Sequence, residues 1–333
     1  MQIDLRTVSI TPLRQTYNHI AERLGADKPA SRYIEGTMNT QPDANFHYRP
    51  TWDPEHELFD PRRTRLVMQD WYALKDPRQF YYGAYTQARA RMQEVAEADF
   101  DLVETRGLAE RYDDSARRKA LDFYVPLRHV AWGANMNGAY QCAYGYGTAI
   151  TQPCLYAGMD QLGIAQYLTR LGLLLGHQGE LEAGKQAWLE APAWQGLRRV
   201  VEDTWVLKDW MELFVAQNVV LDGVLFTLAY REVDEALSQQ GGPVVSMLTR
   251  FQAEWAQDAN KWVDAVMKAA AVESADNQTL LSGWYAHWRS RVQQALAPVA
   301  ALALGADAPA ALERSVAMLD ARMAKAGLRP EPA

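Results

Sequence analysis

One stretch of this chain has almost no polar side. Residues 213–230 read LFVAQNVVLDGVLFTLAY and are apolar nearly all round at helical period. A helix of that kind is expected to be buried on every side, as at the centre of a helical bundle. The stretch therefore predicts other long helices packed around it.

The rest of the chain supplies candidates for those helices. Apolar residues recur at helical spacing near 77–106, 114–148, 153–176, 197–237, 244–267, 277–304 and 308–326. Asp76 followed by Pro77 is typical of a helix start, and Gly107 of a helix end. No segment alternates polar and apolar residues as a half-buried strand does. We therefore predict an all-α fold of long helices, which is a bundle architecture.

The first 62 residues follow a different pattern. Prolines stand at positions 12, 29, 42, 50, 54 and 61, with aromatic residues between them, as in NFHYRPTWDPEHELFDP at 45–61. A solvated loop has no need of so many aromatic side chains, so these are expected to lie on another surface. We predict an extended arm at 1–62 and a helical domain at 63–333.

Composition excludes several classes of function. The net charge of −7 gives no electrostatic footprint for nucleic acid. The run from Val130 to Gly158 has no charged residue, yet asparagines and glutamines interrupt it and Pro153 breaks it, so we expect a buried segment and not a membrane span. The first residues lack the order of a signal peptide, which favours the cytoplasm. Cys142 and Cys154 form no CxxC motif, and we expect two reduced thiols.

A bundle of long helices can hold a metal cluster, but the ligand spacing is missing. A carboxylate-bridged di-metal centre takes a Glu from each of two helices and Glu-x-x-His from each of two others. His129 has no carboxylate three residues before it, and Trp284 stands at that position before His287. Asp53 and His56 have the spacing but lie in the predicted arm. The sequence therefore predicts the helical bundle of a di-metal protein, but it lacks the Glu and His residues that would bind the metal ions.

Several stretches resemble one protein family. They are PLRQTY at 12–17, DKPASRY at 27–33, NFHYRPTWDPEHELFDP at 45–61 and DPRQFYYGAYTQARARMQ at 76–93. Together they are similar to the β subunit of the phenol hydroxylase branch of the soluble bacterial multicomponent monooxygenases. The resemblance extends over about residues 10–270. It implies a ferritin-like bundle, paralogous to a catalytic α subunit that holds two irons, but without the metal.

The resemblance also identifies positions where ligands are lost. A catalytic subunit carries Glu within G-E-Y-A and later D-E-x-x-H, whereas this chain has GAYQ at 138–141 and MDQLGIAQ at 159–166. A later segment, LTRFQAEWAQDANKW at 248–262, resembles the second Glu-x-x-His. The lost-ligand positions are then Ala139, Gln161, Ile164, Trp255 and Asp258, with a further one at Ala216 or Gln217. No catalytic, cofactor or metal residue is therefore expected in this chain.

The function implied is that of an accessory subunit. The oxygenase component would be an (αβγ)2 heterohexamer with a catalytic α and a small γ subunit. It would convert phenol to catechol with O2 and NADH, helped by a regulatory protein and a separate reductase that carries FAD and an Fe–S cluster. The aromatic residues expected at subunit interfaces are Phe46, Tyr48, Trp52, Phe59, Tyr81, Tyr82 and Tyr85.

Three alternatives stay open at the level of the sequence. The nearest is the β subunit of a toluene monooxygenase. The second is a stand-alone metalloprotein of the same fold with unusual ligands, such as Asp258, His129 and Asp160. The third is a helical protein that binds a small ligand at its apolar centre.

Overall fold

The computed structural model describes residues 15–41 and 49–329, and these residues contain helices but no β-strand. The α-helices are α1 (Asn18–Leu24), α2 (Arg32–Thr37), α3 (Tyr82–Thr105), α4 (Asp114–Tyr144), α5 (Thr148–Leu175), α6 (Gln178–Glu190), α7 (Pro192–Thr204), α8 (Trp210–Gly241), α9 (Val244–Leu248), α10 (Arg250–Glu273), α11 (Ala275–Leu304) and α12 (Ala308–Lys325). The predicted all-α, long-helix bundle is confirmed.

Helix α8 is the apolar stretch from which the prediction started. Val215, Val219, Leu221 and Val224 have no exposed surface, so the helix is enclosed by its neighbours as its composition requires. Asp209 caps its first turn, because its carboxylate accepts from the backbone N–H groups of residues 211 and 212. Two π-helical segments, at 215–221 and 228–233, interrupt the α-helical hydrogen bonds.

Among the residues that the structure describes, two helical segments are long and apolar enough to cross a membrane, judged by length and composition. They are Trp210–Gly241, whose apolar window is 89% buried inside the protein, and Ala275–Lys325, whose window is 44% buried. The central helix of a globular bundle passes the same test, and burial accounts for the first segment.

Helices α4 and α5 form a close antiparallel pair joined at residues 145–147. Gly138 faces Gly158 so closely that a Cβ on Gly138 would lie 2.7 Å from the Cα of Gly158. Asn135 donates a hydrogen bond from Nδ2 to the carbonyl of Gly158, at 2.8 Å. The two glycines therefore allow a backbone approach that any larger residue would prevent.

Several helix boundaries differ from the prediction, and helix α6 (Gln178–Glu190) was not predicted. Helix α3 begins at Tyr82, because the carboxylate of Asp76 accepts from the N–H and the guanidinium of Arg78 in a turn. Helix α5 begins at Thr148 and contains Pro153, whose ring removes the hydrogen bond that an N–H at this position would donate to the carbonyl of Ala149. The segment predicted as one helix over 197–237 is two helices, broken at 205–209.

The described part of the N-terminal segment is bound to the bundle. Gln41 bridges the turn between α4 and α5, since its Nε2 donates to the carbonyl of Gly145 and its Oε1 accepts from the N–H of Gly147. Tyr33 accepts the N–H of Asp76 at its hydroxyl, at 2.9 Å. This segment includes the short helices α1 and α2. The division into an arm at 1–62 and a helical domain stays a prediction.

The Gly138 contact makes a first testable prediction. Gly138→Ala should lower the free energy of unfolding by about 1–3 kcal/mol, because the added methyl group overpacks the α4/α5 crossing. Gly163→Ala is the matched control on α5, since nothing lies within 4 Å of its added Cβ. The control should stabilise the helix by up to about 1 kcal/mol. Urea unfolding of both variants checks this, and equal stabilities would contradict it.

Candidate functional site

Asp160, at the end of the uncharged run, is a buried hydrogen-bond acceptor. It receives hydrogen bonds from the Tyr85 hydroxyl at 2.8 Å, the Trp255 indole Nε1 at 2.8 Å and the Arg89 Nε at 3.0 Å. These donors lie on α3 and α10, so the carboxylate connects three helices. Because each donor satisfies a lone pair of a charge taken out of water, the arrangement avoids the cost of an unpaired buried group.

The ion-pair cluster continues to a second carboxylate. The guanidinium groups of Arg89 and Arg78 both lie 3.4 Å from Asp258, and Lys261 lies 3.8 Å from it. Arg78 in turn pairs with Asp76 at 2.9 Å. Asp258 is the partly exposed end of a chain of alternating charges and holds α10 against the segment before α3.

Burial and ion pairing shift the pKa of Asp160 in opposite directions. Burial raises the pKa of its carboxyl, while the Arg89 guanidinium and the donors from Tyr85 and Trp255 lower it. The same surroundings raise the pKa of the Tyr85 phenol, mainly through burial and then through the nearby carboxylate. A phenol that keeps its proton remains the hydrogen-bond donor that Asp160 needs.

A separate polar cluster occupies the centre of the bundle, around Asp222 of α8. Gln217 and Gln161 donate from Nε2 to the same carboxylate oxygen, at 2.8 Å and 3.3 Å. Asn137 donates from Nδ2 to Gln217 Oε1 and to Thr204 Oγ1, both at 2.8 Å. Two amides therefore donate to the carboxyl group, and Asn137 and Thr204 extend the hydrogen-bonded chain behind Gln217.

The pKa of the Asp222 carboxyl lies well above the ordinary value for an aspartate. Burial raises its pKa to about 7, against the two amide hydrogen bonds, which lower it. Unlike Asp160, it has amide donors in place of an arginine. Cavities of about 10 Å³ lie on two sides of this residue, one beside Gln161 and Ile164 and one beside Trp255 and Ala259. Such a volume has room for about one water molecule.

The structure brings together only some of the predicted lost-ligand positions. Gln161, Ile164 and Trp255 are buried around the two central cavities, and Gln217 joins the Asp222 cluster while Ala216 is buried beside it. Ala139 is different. It is exposed, so its placement among the central positions is wrong. Leu127, Val130 and Ala131 are the α4 residues that line the central cavity. Asp258 points away from the centre to the arginines.

The described residues do not assemble a metal-binding cluster. Within 15–41 and 49–329, no group of three or more His, Cys, Asp or Glu side chains lies close enough to hold a metal ion. His129 stacks on Trp188 with ring centroids 5.8 Å apart, and burial lowers its pKa to about 4. Asp160 and Asp258, the other unusual ligands considered, are both paired with Arg89.

The interface candidates fall into different environments. Tyr85 is buried and donates a hydrogen bond to Asp160, so it has no surface for a partner. The prediction that Tyr85 lies at a subunit interface is therefore corrected. Trp52 is 53% exposed and packs edge-on against Tyr144, and Tyr82 is 65% exposed. Tyr81 and Phe59 are half-buried. Phe46 and Tyr48 lie outside the described residues.

Sequence reasoning missed Asp222, although a signal was present. It is the single charged residue in the apolar stretch 213–230. A lone carboxylate in a helix that must be buried on all sides has to be neutral or bonded by neighbours. That argument identifies a buried polar cluster, but the residues that complete it come from α4, α5 and α7 and are not evident from spacing.

Comparison with known proteins identifies the family. A family model described as methane/phenol/alkene hydroxylase matches residues 52–274. The chain belongs to this family. It is 45% identical over 331 residues, 99% of each chain, to the phenol 2-monooxygenase oxygenase component DmpL of Pseudomonas sp. (strain CF600). The resemblance stated from the sequence is confirmed.

Other members of the hydroxylase family agree with this placement. The toluene-4-monooxygenase hydroxylase component subunit beta of Ectopseudomonas mendocina is 25% identical over 301 residues, 85% of this chain and 88% of its own length. A crystal structure of phenol hydroxylase from Pseudomonas sp. OX1 contains a chain that superposes with a TM-score of 0.92 at 43% identity, covering 99% of this chain and 100% of that one. Several relatives are thus named as components or subunits of larger oxygenases.

The Asp160 cluster predicts a large effect from one arginine. Arg89→Ala leaves a buried carboxylate without its cation and should lower the free energy of unfolding by about 3 kcal/mol. Arg91→Ala is the control on the same helix, because Arg91 is exposed and bonds only to the backbone carbonyl of Gln87. Chemical unfolding measures both variants. A loss below about 1 kcal/mol for Arg89→Ala would contradict the role given to the pair.

The raised pKa of Asp222 predicts a pH dependence of stability. The folded state binds the proton more tightly than the unfolded state, so the stability contributed by Asp222 is present below about pH 4 and is lost as the pH rises to about 7. Relative to Asp222→Asn, the wild type should lose up to about 1.4 kcal/mol of unfolding free energy per pH unit in this window.

Urea unfolding at half-unit pH steps measures that difference. Asp101→Asn, which changes an exposed carboxylate on α3, is the control and should leave the pH dependence of the wild type unchanged. A wild type and an Asp222→Asn variant with parallel curves between pH 4 and 7 would show that Asp222 keeps an ordinary pKa.

Proposed function

We propose that this chain is the accessory, non-catalytic subunit of the oxygenase component of a phenol hydroxylase. The observation that carries the proposal is its 45% identity, over 99% of both chains, to phenol 2-monooxygenase oxygenase components from Pseudomonas and Acinetobacter. Two chains so alike along their whole length share their core packing and their main surfaces. The role of this chain is then structural, as one member of a multisubunit monooxygenase.

The centre of the bundle supports a structural role. It holds the carboxyl group of Asp222, which accepts from Gln161 and Gln217, and Asn137 in turn donates to Gln217. Amide side chains are poor ligands for iron compared with carboxylates and imidazoles, and a carboxylate-bridged di-metal centre takes four carboxylates and two histidines. We infer that the chain binds neither metal nor organic cofactor and that its polar centre is a hydrogen-bonded remnant of a ligand set.

The chemistry would take place on other chains. A catalytic α subunit would hold the di-iron centre that activates O2 and hydroxylates phenol to catechol. Electrons from NADH would arrive through a separate reductase with FAD and an Fe–S cluster, and a regulatory protein would bind transiently. The assembly would be an (αβγ)2 heterohexamer in the cytoplasm. This chain would keep the catalytic subunits in position.

The alternatives receive less support from the structure. A small-ligand site normally encloses a cavity of roughly 300–1,000 Å³, whereas the cavities at the described bundle centre are about 10 Å³ each. The unusual metal ligands Asp160, Asp258 and His129 are engaged with arginines or stacked on Trp188. A toluene monooxygenase subunit is less similar, at 25% identity.

Purification from the native host tests the proposal. We expect a tagged chain to recover, in equal amounts, a larger chain with two Glu-x-x-His motifs and a small third chain, identified by mass spectrometry. Iron should be found in that assembly, and after the subunits are separated in denaturant and refolded singly with added Fe²⁺, iron should bind to the larger chain and not to this one. A soluble, monomeric tagged chain without partners would overturn the proposal.

The exposed Trp52 offers a variant for the same purification. We propose that it, with Phe59, Tyr81 and Tyr82 and the residues Phe46 and Tyr48 of the N-terminal segment, contacts the other subunits. Trp52→Ala should reduce recovery of the larger chain while iron per assembled complex stays constant. Normal assembly with lost hydroxylase activity would contradict this structural role.

A further inference from the structure

The uncharged run around Val130–Gly158 is not buried on all sides, which corrects the expectation from sequence. One flank of α4 and one flank of α5 are open to solvent. We call this surface the α4/α5 face, and its residues are Trp132, Met136, Ala139, Leu155, Met159 and Leu162. The larger side chains among them are between 39% and 48% exposed. Single exposed apolar residues are common, but a contiguous set marks an interaction site.

The spacing of these residues places them on one continuous surface. On α4 they stand at positions 132, 136 and 139, and on α5 at 155, 159 and 162, which is a step of four and then three residues on each helix. Such a step forms a single stripe along a helix. The stripes run beside each other, because α4 and α5 touch at Gly138 and Gly158. Gln141 and Gln161 point to the opposite side, toward α8.

The absence of charge distinguishes this surface from an ordinary solvated one. Between Arg128 and Arg170 the sequence has one Asp, Glu, Lys or Arg, which is Asp160, and that residue is buried and paired with Arg89. The outer face of a helix in a soluble protein normally carries charged residues. Trp205 packs edge-on against Trp132 at 5.7 Å, and with the 76% exposed Val206 it extends the apolar surface beyond α4.

We propose that the α4/α5 face is the docking surface for an uncharged, apolar helical face of the catalytic subunit. This inference rests on the proposed function, since it assigns the surface for a partner named there. The face follows helices of 31 and 28 residues, so a partner with helices of similar length covers it. A charged partner surface is disfavoured, because its charges would lose water without gaining a counter-ion.

A second copy of this chain is the competing occupant, and charge disfavours it. Each copy carries a net charge of −7, so pairing two copies brings like charges together, which opposes association. The relatives with the same overall length are named as components or subunits of multisubunit oxygenases. Both observations favour a different chain as the partner.

The test is assembly of the complete oxygenase component. The tagged chain is produced together with the other oxygenase subunits of its host, as wild type, as Met159→Glu/Leu162→Glu and as Val272→Glu. Val272, on α10, is 73% exposed and is not one of the residues of this face, so it is the control for an added charge at an apolar site. We expect the double variant to recover at least tenfold less catalytic subunit, and the control to stay within twofold of the wild type.

Folding and partner identity are checked separately. Circular dichroism and thermal unfolding of the double variant should match the control. If the double variant is misfolded, a photo-crosslinking residue at Met159 in the otherwise wild-type chain replaces it, and a crosslink to the catalytic subunit is expected, with none from position 272. Normal assembly of the double variant, or a crosslink to a second copy or to the small subunit, would overturn the docking surface. Absence of partners for the wild type would instead overturn the proposed function.

Discussion

The burial of α8 is the constraint on which the rest of the structure depends. A helix that is apolar nearly all round cannot face water, so other helices must enclose it. The long helices α4, α5, α10 and α11 are arranged accordingly, and their apolar faces meet around it. The one carboxyl group in its middle, Asp222, then has to be satisfied by amides from the surrounding helices or kept protonated.

Two buried carboxylates near the predicted lost-ligand positions are stabilised in different ways. Asp160 has an arginine and two neutral donors and connects α3, α5 and α10. Asp222 has only amide donors, and burial raises its pKa to about 7. The first arrangement holds helices together through an ion pair, whereas the second keeps a polar centre with little charge. Neither offers a cluster of ligands, which agrees with a structural subunit.

The sequence predicted the long helices and the family, but it did not predict correctly which way some side chains point. The apolar period predicted the long helices because a buried face repeats every three to four residues. The position of Ala139 was wrong, because the α4 residues that line the central cavity are Leu127, Val130 and Ala131, which lie about two helical turns or more before it. Tyr85 was placed at an interface because aromatic residues are buried in cores and interfaces alike.

By itself, the sequence determined the all-α class, the family and the central place of residues 213–230. The tertiary structure decided which polar residues meet. Asp222 gains one hydrogen-bond partner from Gln161, 61 positions away in the chain, and one from Gln217, five positions away. It also decided that the uncharged run has an exposed flank. A long uncharged run in a sequence predicts side chains that are covered, but only the packing of the helices decides whether the same chain or another one covers them.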